Sequence, residues 1–240
     1  MFADEWLKLR TVRTTWLLLA AAPVLVLLGV IGKLSHGDLT DPATIREAVA
    51  HAGVLALLPL VLGIMSVAGE HRHRTISDTY LGRPRRDRVL LAKLAVNTLA
   101  GVVFGLAGVL TGLVAVAIWL PAKGVSLDLA EAGLWRTVGG SIAWNALFAG
   151  IGVAVGALVR NLATAVAAAL AWLALVEGLV AQLLGNEASR WLPFRAGSSL
   201  ADLPIQGESL GQWTALAVLI GYAGLLTLLA TRTTTRADVA

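Results

Sequence analysis

The longest stretch without a charged side chain covers 29 residues, from 94 to 122. A helix of about 20 apolar residues is long enough to cross the hydrocarbon core of a bilayer, which is about 30 Å thick. Over the whole chain, 57% of the residues are hydrophobic and 14% are charged, whereas soluble domains carry about 25% charged residues. We therefore expect an integral membrane protein.

Six stretches meet or approach the length of a membrane-spanning helix. Short loops connect them, so the sequence predicts one all-α membrane domain over residues 1–240, without a separate soluble domain. The predicted spans are 16–34, 48–69, 94–122, 137–159, 161–185 and 209–231.

Lysine and arginine residues are distributed unequally between the two sets of loops. Thirteen lie with the two termini, in the loop from 70 to 93 and at Arg160, and six lie in the remaining loops. Cytoplasmic loops carry the excess of basic residues in membrane proteins. The sequence therefore predicts that both termini face the cytoplasm.

Sequence patterns of catalytic and cofactor sites do not occur in the chain. It has neither a glycine-rich phosphate-binding loop nor an HExxH zinc motif, and it contains no cysteine. We expect that this chain is not an enzyme and that it binds no cofactor or metal of its own.

Glu177 is the one ionisable side chain well inside a predicted span. A carboxylate at the bilayer centre costs at least about 2.5–3.5 kcal/mol, so such residues rarely face lipid. One interpretation places Glu177, with the nearby Trp172, on a substrate path or a subunit interface. The alternatives are a hydrogen-bonded glutamate buried between helices and a tryptophan that packs normally or contacts lipid.

Two segments on the predicted cytoplasmic side have amphipathic character. At the start of the chain, Phe2, Trp6 and Leu9 lie near one face of a helix, which predicts a helix in the headgroup plane; the alternative is a solvated extension. In the loop after the second span, Ile76 and Tyr80 are one helical turn apart among arginines. A docking surface explains them, whereas a loop that rests on headgroups needs only charge.

The same two segments carry a resemblance to a known family. The stretch from Glu5 to Trp16 resembles the opening of actinobacterial permease subunits of ABC-type exporters. Gly69-Glu70, Arg74-Thr75-Ile76, Pro84, Arg86 and Lys93 are similar to the loop between the second and third spans of these subunits.

The resemblance implies a permease dimer in the bacterial plasma membrane, bound to separate ATP-binding subunits that hold ATP and Mg²⁺. Residues 2–13 would form a connecting helix, with Phe2, Trp6 and Leu9 on its apolar face, and residues 74–81 a coupling helix. The expected substrate is a drug, antibiotic, lipid or polymer precursor. The residues expected to contact the ATPase are Glu70, Arg72, Arg74, Thr75, Ile76, Tyr80, Leu81 and Arg86.

Two other functions remain compatible with the sequence. An ion-gradient-driven transporter would need several acidic residues inside the membrane or inverted repeats, and only Glu177 meets the first condition. A membrane scaffold or immunity protein would need no transport path. Only the exporter predicts a stable complex with an ATP-binding protein.

Overall fold

A computed structural model describes residues 2–72, 86–204 and 209–236, and within these ranges the regular structure is entirely helical. Six candidate membrane spans occur in the described part of the chain, which confirms their predicted number. The helices are α1 (Phe2–Thr11), α2 (Arg13–His36), α3 (Pro42–Val54), α4 (Leu57–Arg72), α5 (Arg86–Trp119), α6 (Ala132–Val159), α7 (Leu162–Ala171), α8 (Glu177–Ser189), α9 (Pro193–Leu200) and α10 (Gln212–Arg236).

The second span differs from its prediction as one continuous helix, because it is divided into α3 and α4. Pro59 has no N–H to donate to the carbonyl of Leu55, and its ring clashes with that carbonyl. The backbone tightens instead: Ala56 N–H donates to Gly53 O at 3.0 Å and Leu58 N–H donates to Leu55 O at 2.7 Å. Pro59 therefore accounts for the break one turn before it.

A side chain of α6 compensates for one bond lost at this break. Ala56 N–H would normally donate to Ala52 O, but it donates to Gly53 O. Asn145 Nδ2 donates to Ala52 O at 3.0 Å from a fully buried position. Irregular backbone at membrane depth is tolerated only where the protein supplies hydrogen bonds to its free polar groups, so Asn145 stabilises the break.

The fifth span is also irregular. α7 continues through a π-helical turn, Trp172–Val176, into α8, and Gly185 has a left-handed φ of 82°. The chain then turns back into α9, which precedes the last span. The end of α8, from residue 186, and the whole of α9 thus form a helical hairpin up to residue 204.

Helix α6 lies at the centre of the bundle, where it packs on α3, α4, α5 and α10. Gly152 lies against the backbone of Leu60 in α4, and a Cβ added to Gly101 of α5 would come within 2.5 Å of Asn145 O. These glycines allow the close helix approach that small residues give in membranes. The tight hairpin predicted at Arg160 and Asn161 joins α6 directly to α7.

Ion pairs and hydrogen bonds connect the loops at each end of the bundle. At one end, Lys8 of α1 contacts Glu70 of α4. At the other end, Arg46 of α3 pairs with Glu131, and its Nε lies 3.5 Å from Asp202 Oδ2. The assignment of the first end to the cytoplasm rests on the distribution of basic residues and stays a prediction.

Candidate functional site

The predicted ATPase-contacting residues fall largely outside the described part of the chain. Residues 73–85 include Arg74, Thr75, Ile76, Tyr80 and Leu81, so the predicted coupling helix at 74–81 is not described. Arg72 ends α4 and Arg86 begins α5, and only their backbone is described. Glu70 is the member of this set whose side chain has described contacts.

Glu70 belongs to a buried charge cluster, which consists of Glu5, Lys8, Glu70 and Lys93. The ammonium of Lys93 donates to Glu5 Oε2 at 2.7 Å, to Glu70 Oε1 at 2.7 Å and to Ser66 O at 3.1 Å. Its side chain is only 2% exposed. Three donors of one ammonium therefore connect α1, α4 and α5.

Lys8 closes the cluster from its solvent side. Its ammonium lies 2.9 Å from Glu5 Oε1 and 2.8 Å from Glu70 Oε1. Burial alone lowers the pKa of Lys8, but the hydrogen bonds and charges of Glu70 and Glu5 outweigh it, so the pKa is raised above its ordinary value. Two carboxylates and two ammonium groups leave the charge cluster neutral, as burial requires.

The two helices on either side of residues 73–85, α4 and α5, both contribute a residue to this cluster. Glu70 lies two residues before the end of α4, and Lys93 lies two turns into α5. Asn97 extends the network inward, since its Nδ2 donates to Ser66 Oγ at 3.1 Å and to Lys93 O at 2.8 Å. The helices that enter and leave the loop are thereby joined to each other and to α1.

A cavity of about 550 Å³ borders the charge cluster. Its walls come from α1, the start of α2, α4, α5 and Leu162. Leu9 of α1 is buried and Trp6 packs beside it, whereas Phe2 is 48% exposed. A helix, α1, thus forms at the N-terminus with Leu9 and Trp6 towards the bundle, and its position in the headgroup plane stays a prediction.

Glu177 lies in the other half of the protein and is 5% exposed. Its carboxylate accepts hydrogen bonds from the backbone N–H of Phe194 at 2.9 Å and of Arg195 at 3.2 Å. These amides belong to the first turn of α9, where unpaired N–H groups and the helix dipole favour an anion. Glu177 therefore fastens the hairpin to the fifth span.

The two tryptophans of the inner spans have different surroundings. Trp172 is 46% exposed on the outer face of the π-helical turn, while Trp144 is fully buried. Trp144 packs edge-on against Phe148 at 5.8 Å and Phe194 at 5.2 Å. The packing interpretation applies to Trp144, and Glu177 and Trp172, grouped together from the sequence, face different surroundings.

Several polar residues of this architecture were not among the predicted site residues. Glu5, Lys8 and Lys93 appeared only within the family-like motifs, and Asn145 was not considered. The available signals were the glutamate and lysine three residues apart in the first segment, and a lysine next to an apolar run of 29 residues.

Within the described ranges, no group of three or more His, Asp or Glu side chains is placed to hold a metal ion. A family model described as ABC-2 family transporter protein matches residues 1–175. A comparison with curated proteins finds no match to the chain. Since the family match covers most of the 240 residues, the chain belongs to the ABC-2 transporter family, as the permease component of an ABC transporter and a multi-pass protein of the bacterial plasma membrane.

Proposed function

We propose that the chain is the membrane subunit of an ATP-driven exporter. It works as a dimer, homo- or heteromeric, on two separate ATP-binding subunits that hold ATP and Mg²⁺. The substrate moves out of the cytoplasm or the inner leaflet, and it is a drug, an antibiotic, a lipid or a polymer precursor. Antibiotic resistance is one physiological outcome of such export.

The observation that carries this proposal is the position of Lys93. Its buried ammonium lies 2.7 Å from Glu5 Oε2 of α1 and 2.7 Å from Glu70 Oε1 of α4, and so it connects the two helices. Along the chain, α4 and α5 flank the basic loop that we propose as the ATPase contact. A displacement of the loop is therefore passed to α1, α4 and α5 together.

The irregular backbone at mid-span supports motion at a defined depth. The break between α3 and α4 and the π-helical turn after α7 interrupt the second and fifth spans. Helix kinks commonly occur at prolines and π-bulges. ATP binding would draw the partner subunits together, shift the loop, and bend or tilt these two spans to exchange inward for outward access.

The rival functions lack comparable support. An ion-gradient mechanism needs a titratable side chain that faces a polar path, whereas Glu177 is engaged by the backbone of α9. A scaffold or immunity protein would not need its loop flanks and N-terminal helix connected through one buried lysine.

The test is co-purification with the ATP-binding protein encoded next to this chain. We expect the double substitution Ile76→Ala and Tyr80→Ala to reduce the retained ATPase at least about tenfold, because buried aromatic anchors dominate binding energy. Arg83→Ala with Arg85→Ala is the matched control, since it removes charge from the same loop and leaves the apolar pair.

Retention of the ATPase and of transport by the Ile76 and Tyr80 double variant would assign the loop to the lipid surface. Loss of binding in the control as well would indicate that the partner depends on the charge of the loop in addition to the apolar pair. Membrane insertion, followed by the yield of folded protein in detergent, must be unchanged for either result to count.

A further inference from the structure

An apolar pocket of about 300 Å³ lies within a single protomer, between the second, fourth, fifth and sixth spans. Nine of its eleven lining residues have wholly apolar side chains, and only Trp172 and Tyr222 bring a polar atom. Leu60 and Phe148 form its floor and are 3% and 1% exposed. The volume lies at the lower end of the range for small-molecule sites.

The pocket opens towards the outside of the bundle. Ala168 and Trp172 of the fifth span stand at its edge and are exposed, while Tyr222 of α10 forms the opposite wall. Much of the surrounding surface of the fifth and sixth spans is likewise exposed and apolar, with Leu175, Leu225 and Leu229 as examples. In a membrane, such a face contacts either acyl chains or a second protein copy.

The pocket lies at the depth of the acyl chains, around the middle of the bilayer. At a rise of 1.5 Å per residue, Ala168 and Trp172 lie about 9 and 15 Å from the start of α7. At the opposite limit, Pro193 precedes the amides that bind Glu177, at about 22 Å by the same measure. In a hydrocarbon core about 30 Å thick, the pocket therefore extends to both sides of the midplane.

Two arginines lie close in the chain to the lining residue Pro193. Arg190 lies with its guanidinium carbon 5.9 Å from the ring centroid of Trp191. Arg195 Nη2 donates to Asn186 Oδ1 at 3.3 Å. Basic side chains near a membrane surface attract anionic lipid headgroups.

We propose that this pocket binds one acyl chain of a membrane lipid, which enters from the bilayer between the fifth and sixth spans. An empty apolar cavity forfeits dispersion contacts along its lining, and a lipid tail from the α9-side leaflet restores them without desolvating any polar group. The bound chain touches the π-helical turn and the helix that follows the break in the second span. The site stands independently of ATP-driven export, because it lies within one protomer.

The experiment uses the purified chain in nanodiscs of phosphatidylglycerol that contains a photoreactive diazirine at mid-chain. Labelled peptides are located by mass spectrometry as the mole fraction of the probe rises. We expect labelling at Leu60, Phe148 and Tyr222 to saturate at a low fraction, since these residues line a site. Labelling at exposed Leu17 and Leu28 of α2 should rise in proportion to the probe.

Ala169→Phe fills the pocket, and Ala167→Phe, two residues earlier on an exposed position outside the lining, is its matched control. We expect Ala169→Phe to abolish the saturable labelling of the floor, because the phenyl ring occupies the volume that the acyl chain would fill. The control should leave labelling unchanged.

Proportional labelling of the floor and of α2 would overturn the proposal, because it would show ordinary surface lipid. A second copy could instead cover the pocket. The chain contains no cysteine, so Trp172→Cys introduces a single thiol, and efficient disulfide-linked dimers in the same nanodiscs would assign the face to a protomer contact and reject the lipid site.

Discussion

Two sets of buried carboxylates, in opposite halves of the bundle, satisfy their charge in different ways. Glu5 and Glu70 meet the ammonium groups of Lys8 and Lys93. Glu177 accepts two backbone N–H groups at the start of α9. The first arrangement depends on four particular side chains, whereas the second depends on one side chain and on the position of a helix.

This difference affects what each site can transmit. Removal of Lys93, the buried cation of the charge cluster, breaks the contacts of its ammonium with Glu5 and Glu70 together, so the three helices are held cooperatively. In the hairpin, substituting the side chains of Phe194 or Arg195 leaves the amides in place. The cluster is suited to coupling several helices, and Glu177 is suited to anchoring one.

The largest effect is expected for Lys93→Met. It removes the buried ammonium that pairs with Glu5 and Glu70, and breaking a buried ion pair from one side costs about 3–5 kcal/mol. Thermal unfolding in detergent, followed by tryptophan fluorescence, measures the loss. Lys123→Met is the matched control, since Lys123 lies exposed beyond the other end of the same span.

Equal stability of the Lys93 and Lys123 variants would show that the buried charge pairs do not stabilise their half of the bundle. A triple variant, in which Glu5→Gln and Glu70→Gln are added to Lys93→Met, tests the same point further. We expect this triple variant to recover much of the loss, because no unpaired carboxylate then remains among these residues.

Glu177→Leu is expected to have an intermediate effect. It leaves the N–H groups of Phe194 and Arg195 without their acceptor, and an unsatisfied buried donor costs about 1–3 kcal/mol. Glu177→Gln keeps one acceptor oxygen, so it should fold normally, lose about half as much stability, and alter transport if the hairpin moves during the cycle.

The readout for Glu177 is the rate of tryptic cleavage at Arg190 and Arg195, which reports release of the hairpin. Glu187→Gln, on an exposed residue of the same segment, should cleave like the parent protein. Unchanged cleavage in Glu177→Leu would show that packing of Phe194 on Trp144, not the carboxylate, holds α9.

Asn145 is a buried polar residue that carries no charge, unlike Lys93 and Glu177. Asn145→Leu removes the donor to Ala52 O, but it also removes the buried Oδ1, which has no hydrogen-bond partner. The two effects oppose each other, so we expect a loss of only about 0.6–1 kcal/mol, near the mean measured between membrane helices. Ser141→Ala, one turn away, is the control because its buried Oγ is also unpartnered.

The sequence predicted the spans well because each depends on a local property, the length of an apolar run. In the third span, α5 ends at Trp119 and is followed by a short turn at Pro121–Lys123. Pro59 is a local signal for the break in the second span, but a prediction based only on the length of apolar runs takes no account of prolines.

The buried polar contacts were not predictable in the same way. Lys93 and Glu5 are 88 residues apart, and Glu177 is bound by amides 17 and 18 residues further along the chain. These pairings follow from the packing of distant helices. The donors in α9 are backbone N–H groups, which any sequence supplies, so no sequence motif predicts them. Lys93 is easier to identify because it directly precedes an uncharged span.

The smallest effect is expected at Lys8, whose side chain is 47% exposed. Pairs that reach solvent contribute about 0.2–1 kcal/mol, so Lys8→Ala should lower the unfolding temperature only slightly at neutral pH. The pKa of Lys8 is raised by folding from its ordinary value of 10.5. Its contribution is therefore complete below pH 10.5 and is lost as the pH rises through the higher pKa of the folded state. Unfolding of the parent protein and of Lys8→Ala should differ by a constant amount up to about pH 10 and converge as the pH rises past the raised pKa of Lys8. A difference that persists at higher pH would mean that Lys8 acts through the packing of its aliphatic stem, and the cluster would then be held by Lys93 alone.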